Sequence, residues 1–87
     1  MQWLLQDVSI GHNLLKFRKQ NQLTQESVAV KMQLLGSKMS VDTYSKIETG
    51  VRNIRISDLL LLAIVFNVEI SDFFEGLISN DSPAIGS

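Results

Sequence analysis

Residues 24–50 read TQESVAVKMQLLGSKMSVDTYSKIETG, and their pattern indicates the fold. This stretch contains two segments with apolar residues at helical spacing, and each segment follows a residue type that commonly caps a helix start. Thr24 precedes the first segment and Ser40 the second, while Gly36 and Gly50 follow them. Glycine is favoured where a helix ends in a left-handed residue. The two predicted helices cover about 25–35 and 41–49, and the inner face of the first is expected to carry Val28, Ala29, Met32 and Leu35.

Three further helices are predicted outside this stretch. Asp7 and Ser9 are candidate caps for a helix before it. After it, Ser57 precedes an unbroken apolar run at 59–66, and Ser71 precedes the last periodic segment. A buried strand could also produce the apolar run, but its leucines and alanine favour a helix. Because this helix is apolar all round, we expect it at the centre of the domain. The predicted ranges are about 9–21, 58–67 and 72–78.

The composition is that of one small globular domain. The chain has 87 residues, no cysteine and 45% hydrophobic residues, and an ordinary domain has roughly 100 residues. The lack of cysteine excludes a disulfide framework and a thiolate metal site. No apolar run reaches the roughly 18 residues of a transmembrane helix, and no basic residue precedes the apolar start. We therefore expect a cytoplasmic all-α protein with an N-terminal extension at 1–9, a domain at 10–78 and a flexible tail at 79–87.

The charges are unevenly distributed along the chain. All eight basic residues fall within 16–55 together with three acidic residues, so this stretch carries a net charge of +5. The rest of the chain has six acidic residues and no basic one, a net charge of −6. Such asymmetry indicates a basic face and therefore favours a polyanionic partner such as nucleic acid. An accidental segregation of charges on a solvated surface is the alternative.

The order of these features resembles that of the phage-repressor and Cro-type helix-turn-helix family, the XRE-like transcriptional regulators. The resemblance rests on the Thr-Gln-Glu start at Thr24, the Ser40-capped helix that ends in Ile-Glu-Thr-Gly at 47–50, and the signals on either side. Those signals are Leu14 to Arg18 upstream and Val68, Ser71 and Phe74 downstream, so that the resemblance covers about residues 10–77. It implies a compact five-helix, lambda-repressor-like DNA-binding domain.

One departure from the family pattern concerns the turn between the two motif helices. Family members join these helices by 3–4 residues, whereas aligning Gln25 and Glu48 with their family counterparts leaves about five extra residues at 33–37. We expect one more turn of the first motif helix, through Leu35, and then a loop at 36–38. The departure affects where the third helix lies, and it leaves the existence of that helix unchanged.

The resemblance implies that helix 41–48 enters the major groove of double-stranded DNA. Gln25 would contact a phosphate from the start of the preceding helix, with Thr24 beside it. The alternative is that Thr24 only caps this helix, and both can be true. The loop after the third helix would contact further phosphates, or else is only a solvated basic loop. The implied DNA-binding residues are Thr24, Gln25, Ser40, Val41, Asp42, Thr43, Lys46, Thr49, Arg52 and Asn53.

Two charged residues are interpreted as structural. The resemblance implies that Arg18 at the end of the first helix pairs with Glu48 at the end of the third. We expect a partly buried, bidentate pair that holds the third helix against the first. His12 is the sole histidine and has no cysteine or second histidine to share a metal, so no metal site and no cofactor are expected. No nucleophile–base set or paired carboxylates are visible, and we expect no enzyme.

These observations predict a transcriptional regulator of the repressor type that acts as a homodimer. The candidate dimer contacts are Trp3, Phe73, Phe74 and Leu77. Two alternatives stay open, each with a partner protein. The first is the antitoxin of a toxin–antitoxin pair, and the second is a protein-interaction module that kept the fold without binding DNA.

Overall fold

The computed structural model describes the backbone of residues 3–4 and all of residues 10–76. The described residues form four α-helices, one 3₁₀ helix and a pair of two-residue strands. In chain order these are β1 (Trp3–Leu4), α1 (Gly11–Gln20), α2 (Gln25–Leu34), α3 (Val41–Glu48), β2 (Ile54–Arg55), α4 (Ile56–Phe66) and the 3₁₀ helix (Ile70–Phe74). The predicted all-α class is confirmed by this mostly helical architecture.

The core consists of one apolar stripe from each helix. An aromatic cluster of Phe17, Phe66 and Phe73 joins α1, α4 and the 3₁₀ helix, with ring centroids 5.8–6.4 Å apart. The edge-on and tilted ring arrangements are those that aromatic pairs favour. The remaining buried apolar residues of the core are Ile10, Leu14, Val28, Ala29, Met32, Met39, Tyr44, Ile47, Ile54, Leu59 and Leu62.

A buried asparagine attaches the 3₁₀ helix to α1. The Asn13 side chain is 4% exposed, and its Nδ2 donates to the carbonyl oxygens of Phe73 and Glu75, both at 2.9 Å. A buried amide needs such partners, because leaving it without hydrogen bonds costs free energy. Asn13 therefore closes the end of the domain that the aromatic cluster fills.

The predicted fifth helix at 72–78 is wrong in type and in extent. The structure has a 3₁₀ helix at Ile70–Phe74, followed by Glu75 in an extended conformation. Ser71 is not its cap, because the helix starts after Glu69, whose N–H donates to the Asp72 side chain at 2.9 Å. The last two residues of the predicted helix lie outside the described residues.

Two other predicted helix starts also differ from the structure. Ser57 lies within the first turn of α4, which begins at Ile56 after Arg55. The helix α1 begins after Ile10, which makes no side-chain capping bond, and the candidate caps Asp7 and Ser9 lie outside the described residues. For Ser57 the residue type favours a cap, but only the backbone geometry decides which residue precedes the helix.

Two predictions of burial are also wrong. Leu35 is 43% exposed because it caps the end of α2 instead of continuing its inner face. The helix α4 is not surrounded by core on all sides, since Leu60 is 52% and Ile64 63% exposed. The apolar run in the sequence therefore does not show how much of the surface of α4 is buried by neighbouring elements.

A short antiparallel ladder joins the start of the chain to the residues before α4. Trp3 pairs with Arg55 and Leu4 with Ile54. The prediction of an N-terminal extension at 1–9 includes no strand and is therefore incomplete. The ladder shows that the backbone of Trp3–Leu4 is attached to the domain beside the start of α4.

Candidate nucleic-acid interface

Two side-chain caps fix where α2 and α3 begin. Thr24 Oγ1 accepts a hydrogen bond from the Ser27 N–H at 3.0 Å, and Ser40 Oγ accepts one from the Thr43 N–H at 3.1 Å. Each cap satisfies an N–H group that the start of a helix leaves without an intrahelical partner. Both caps are exposed, so the same residues serve the helices and stand at the surface expected to meet DNA.

The connection from α2 to α3 spans 35–40 and is longer than the 3–4-residue turn of the motif. Leu35 caps the end of α2, Gly36 follows with a φ of +100°, and the Ser37 N–H donates to the Met32 carbonyl at 3.0 Å. This is the bonding pattern in which a left-handed residue closes a helix. The helix α2 therefore ends at Leu34, one residue before the predicted end at 35, and the residues that follow form the loop expected at 36–38.

Hydrogen bonds anchor this long turn at both ends. Ser37 Oγ donates to Asp58 Oδ1 of α4 at 2.9 Å and accepts from the Met39 N–H at 3.0 Å. Gln33 Nε2 donates to the Met39 carbonyl at 2.8 Å, and the Met39 side chain is buried in the core. The extra residues thus connect α2, α3 and α4 and fix the start of α3.

Arg18 and Glu48 form a bidentate ion pair that links α1 to the end of α3. Arg18 Nε lies 2.9 Å from Glu48 Oε2 and Nη2 lies 3.0 Å from Oε1, with the two side chains 14% and 6% exposed. Arg18 Nη1 also donates to the Leu23 carbonyl, and Gln25 Nε2 donates to Glu48 Oε1 at 3.1 Å. The network ties three helices together at one point.

Burial and hydrogen bonding act in opposite directions on the pKa of Glu48. Burial alone would raise it, but the hydrogen bonds from Arg18 and Gln25, together with the Arg18 charge, leave it below the ordinary value of 4.5. The hydrogen bond to Glu48 is also the main cause that raises the pKa of Arg18. Burial, with the neighbouring Glu48 charge, raises the pKa of Tyr44. The pair is therefore ionised at neutral pH, which suits a structural contact.

The exposed face of α3 carries the residues expected to read bases. Val41 is 42% exposed. Lys46 Nζ lies 3.2 Å from Asp42 Oδ2, and these two side chains are 51% and 74% exposed. The face therefore presents an aliphatic group, a carboxylate and an ammonium, and the two charges partly neutralise each other in the free protein.

The other predicted DNA-binding residues lie around this face. Thr43 is half-buried and accepts a hydrogen bond from the Ser40 hydroxyl at 3.0 Å. Thr49 Oγ1 donates to the carbonyls of the preceding turn at 3.1 Å, so its proton is used within its own helix. Arg52 and Asn53 are exposed in the loop after α3, and the Arg52 N–H donates to the Lys46 carbonyl at 3.2 Å.

A cavity of about 410 Å³ opens between the long turn and the loop before α4. Aliphatic side chains and the Ser37–Asp58 hydrogen bond form part of its wall, as do Arg52 and Asn53 of the loop. The residues that lengthen the turn therefore also shape the surface beside the loop that is expected to contact phosphates. The basic residues around the cavity are Lys38, Arg52 and Arg55.

Sequence reasoning missed two contacts of the site. The hydrogen bond from Gln25 to Glu48 joins a residue expected to meet phosphate to the buried ion pair. The pairing of Asp42 with Lys46 could have been foreseen, because residues four apart face each other on a helix.

Of the candidate dimer contacts, Phe73 is wrong because it is fully buried in the aromatic cluster. Phe74 is half-buried and packs against the core. Leu77 lies outside the described residues, and of Trp3 only the backbone is described.

The described residues contain neither a metal-binding cluster nor a membrane-spanning helix. No group of three or more histidine or acidic side chains there could hold a metal ion, and His12 stands exposed on α1. None of the helices in this part of the chain has the length and apolarity that a membrane crossing requires.

A capped helix, a turn and a second capped helix with an exposed polar face define a helix-turn-helix domain, a class that docks its second helix on DNA. Residues 14–73 match the family model described as helix-turn-helix. The chain therefore belongs to the helix-turn-helix family of the XRE type, which is a family of DNA-binding domains and not of enzymes. Neither curated proteins nor solved structures gave a significant match.

Proposed function

We propose that this protein is a sequence-specific regulator of transcription, of the repressor type, that binds double-stranded DNA as a homodimer. The observation that carries the proposal is the exposed face of α3, with Val41, Asp42 and Lys46 at the surface while Arg18 and Glu48 hold the helix from beneath. A recognition helix needs both properties, because base edges are read by side chains whose backbone does not shift.

The charge distribution supports an interface around α3. Lys16 is paired with Glu75 at 3.3 Å, and Arg18 is paired with Glu48, so neither acts at the exposed face of α3. Four further basic residues come shortly before, within and after α3 in the chain. These residues are Lys38, Lys46, Arg52 and Arg55.

Each proposed contact has a limited chemistry. Lys46 donates to guanine O6 and N7, Val41 contacts a thymine methyl, and Asp42 accepts from the cytosine amino group. Ser40 and Thr43 at the start of α3 donate to a base or a phosphate. Thr24 and Gln25 bring the first N–H groups of α2 to a phosphate. After α3, Arg52 and Asn53 donate to further phosphates, and Thr49 does so by giving up its hydrogen bonds to the preceding turn.

The test is selection of duplexes from a random pool by the purified protein, followed by measurement of affinity against salt. We expect a defined sequence and, if Lys38, Arg52 and Arg55 each neutralise one phosphate, a slope of log K against log salt of about −3 for each bound copy of the protein. Failure to bind any duplex at about 50 mM salt would contradict the proposal.

A second candidate is a protein-interaction module without DNA binding, and the Asp42–Lys46 ion pair favours it. A carboxylate at the centre of the face repels phosphate and withdraws Lys46 from it, which is unusual for a surface that binds a polyanion. An antitoxin is a third candidate, favoured by the exposed aliphatic residues of α4, to which a toxin could bind. Recovery of a selected duplex rules out the interaction module without DNA binding. Copurification with a second protein distinguishes the antitoxin from the regulator.

A further inference from the structure

The cavity between the long turn and the loop before α4 has the size and the apolar floor of a small-molecule site. Its volume of about 410 Å³ lies at the lower end of the roughly 300–1,000 Å³ that ligand pockets have. Met39, Ile47 and Ile54 of the core border it, each at most 4% exposed. The exposed Leu35 and the half-buried Leu61 continue this lining. The cavity therefore offers an aliphatic surface to the apolar part of a ligand.

Positive side chains outnumber negative ones around the cavity. Lys38, Arg52 and Arg55 line it together with a single acidic residue, Asp58. One carboxylate oxygen of Asp58 accepts the Ser37 hydroxyl at 2.9 Å, so this acid is engaged within the wall. Lys38 forms no ion pair within the part of the chain that the structure describes. The balance of charge around the cavity therefore favours a negatively charged ligand.

The wall that the long turn supplies is already in place in the free protein. Five successive residues, 35–39, line the cavity, which is more than the 3–4-residue turn of the motif contains. Ser37 joins this wall to α4 through Asp58. Gln33 Nε2 holds the Met39 carbonyl at 2.8 Å. Walls that are fixed beforehand lose little conformational freedom when a ligand binds. The cavity is therefore a preformed feature of the extra residues in this chain.

We propose that this cavity binds a small organic anion with one carboxylate on an apolar body. The body lies on the aliphatic floor, and the carboxylate pairs with Lys38 of the long turn and Arg52 of the loop. The guanidinium group suits this task, because its planar fork matches the two oxygens of a carboxylate. A single negative charge fits better than a phosphate dianion, since Asp58 in the wall repels a doubly charged group more strongly.

The bound anion weakens DNA binding, and this part of the inference rests on the proposed function. Arg52 and Asn53 line the cavity, and they are also proposed to contact phosphates after α3. A carboxylate that Arg52 holds competes with a phosphate, because both anions use the same N–H donors. Thr43 and Ile47 of α3 line the cavity as well, so the ligand touches the recognition helix directly. The anion is therefore expected to release the protein from its duplex.

The first experiment titrates the free protein with phenylacetate and follows the backbone amide signals by NMR. Acetate has the same charge without the apolar body, and phenylacetamide has the body without the charge. Phenylacetate is expected to give saturable shifts at residues 35–39 and 52–55, with a dissociation constant of about 1 mM, ordinary for a ligand of this size. Acetate and phenylacetamide are each expected to bind at least tenfold more weakly.

Two pairs of variants locate the site. Leu35→Gln and Lys38→Gln change exposed residues that line the cavity. Leu34→Gln and Lys31→Gln are their matched controls, because both residues are exposed on α2 and neither borders the cavity. Lys38→Gln is expected to weaken phenylacetate binding about fivefold, the upper end for an exposed charge pair. Leu35→Gln is expected to weaken it about threefold through lost apolar contact. Circular dichroism checks that all four variants fold.

The second experiment measures the affinity for the selected duplex in phenylacetate and in acetate at the same concentration, which keeps the ionic strength equal. At ten times its dissociation constant, phenylacetate is expected to weaken DNA binding about tenfold relative to acetate.

Three results would overturn the inference and leave the proposed function standing. They are the absence of saturable shifts at the cavity, equal losses in the lining and control variants, and a bound phenylacetate that leaves the affinity for DNA unchanged. A protein that binds phenylacetate but no duplex would instead contradict the proposed function, and the anion site itself would stand.

Discussion

Lys46 and Asp42 form an ion pair across one turn of the exposed face of α3, with Nζ and Oδ2 3.2 Å apart. An exposed pair of this kind stabilises a fold by about 0.2–1 kcal/mol at most. The pair is therefore expected to affect the binding properties of α3 more than the stability of the fold. If Lys46 donates to a guanine, it exchanges one acceptor for another, and the Asp42 carboxylate is left facing the groove without its partner.

Replacement of Lys46 by alanine tests its contact with a base. If Lys46 reads a guanine, Lys46→Ala is expected to lose roughly 1–3 kcal/mol of binding free energy on the selected sequence and to relax the preference at one position. Competition binding against single-position variants of the selected duplex measures both effects. A uniform loss across all duplexes would mean that Lys46 contacts the backbone.

Replacement of Asp42 by asparagine tests whether its carboxylate excludes wrong bases. Asp42→Asn removes a charge that repels phosphate and releases Lys46 from the ion pair, so binding to unselected sequences is expected to tighten. The gap in affinity between selected and unselected duplexes is expected to narrow. Glu26→Gln is the matched control, because Glu26 is an exposed carboxylate in the first turn of α2. If both variants change the gap equally, Asp42 acts only through net charge.

Breaking the Arg18–Glu48 pair is expected to destabilise the fold strongly, because the remaining charge is left nearly buried without its partner. Arg18→Lys keeps the charge but loses the bidentate geometry, and Glu48→Gln leaves a nearly buried guanidinium without its carboxylate. Removing one partner of a buried pair costs about 3–5 kcal/mol, so Glu48→Gln should approach this loss in the free energy of unfolding. Urea denaturation measures it.

The exposed pair of Lys16 and Glu75 is the control for this experiment. Its atoms are 3.3 Å apart, but its side chains are 36% and 69% exposed. Lys16→Ala is therefore expected to cost less than about 1 kcal/mol. If it destabilises the protein as much as Glu48→Gln does, burial is not the property that makes the Arg18–Glu48 pair important.

Local signals explain the parts of the fold that the sequence predicted. Thr24 and Ser40 cap the helices that follow them, because a cap needs only a side-chain oxygen and an N–H group a few residues later. The exposure of Leu35 and Leu60 could not be predicted this way. It depends on which elements lie alongside these residues, and that arrangement is set by long-range packing that periodicity does not contain.

The sequence predicted the positions of the candidate site on α3, but it did not predict the long-range hydrogen bonds around them. The positions on α3 followed from a resemblance of local motifs, and they remain predictions until DNA binding is measured. The Gln25–Glu48 hydrogen bond joins residues 23 apart in the chain. The hydrogen bond from Ser37 in the long turn to Asp58 of α4 likewise joins residues 21 apart. Neither contact has a sequence signal, since each exists only after three helices have packed.

Gly36 is expected to be required for the shape of the long turn. Its φ of +100° lies where side chains are disfavoured, and a Cβ added there would meet no atom within 4 Å. Gly36→Ala is therefore expected to cost roughly 1–2 kcal/mol in the free energy of unfolding through backbone strain alone. Gly36→Asn is the comparison, because asparagine tolerates positive φ and should lose less. Equal losses for both would indicate that the turn relaxes to another conformation.

The dependence of stability on pH is expected to report the Glu48 carboxylate. Its pKa is lower in the folded protein than the ordinary value of 4.5, because the hydrogen bonds and the charge of Arg18 outweigh burial. A depressed pKa contributes stability that is fully present above the unfolded value and is lost as pH falls through the folded value. The wild-type protein should therefore lose its advantage over Glu48→Gln as the pH is lowered below the ordinary pKa of 4.5. Urea denaturation of both proteins at a series of pH values measures the difference, and a gap that stays constant over this range would show that Glu48 titrates alike in the folded and unfolded states.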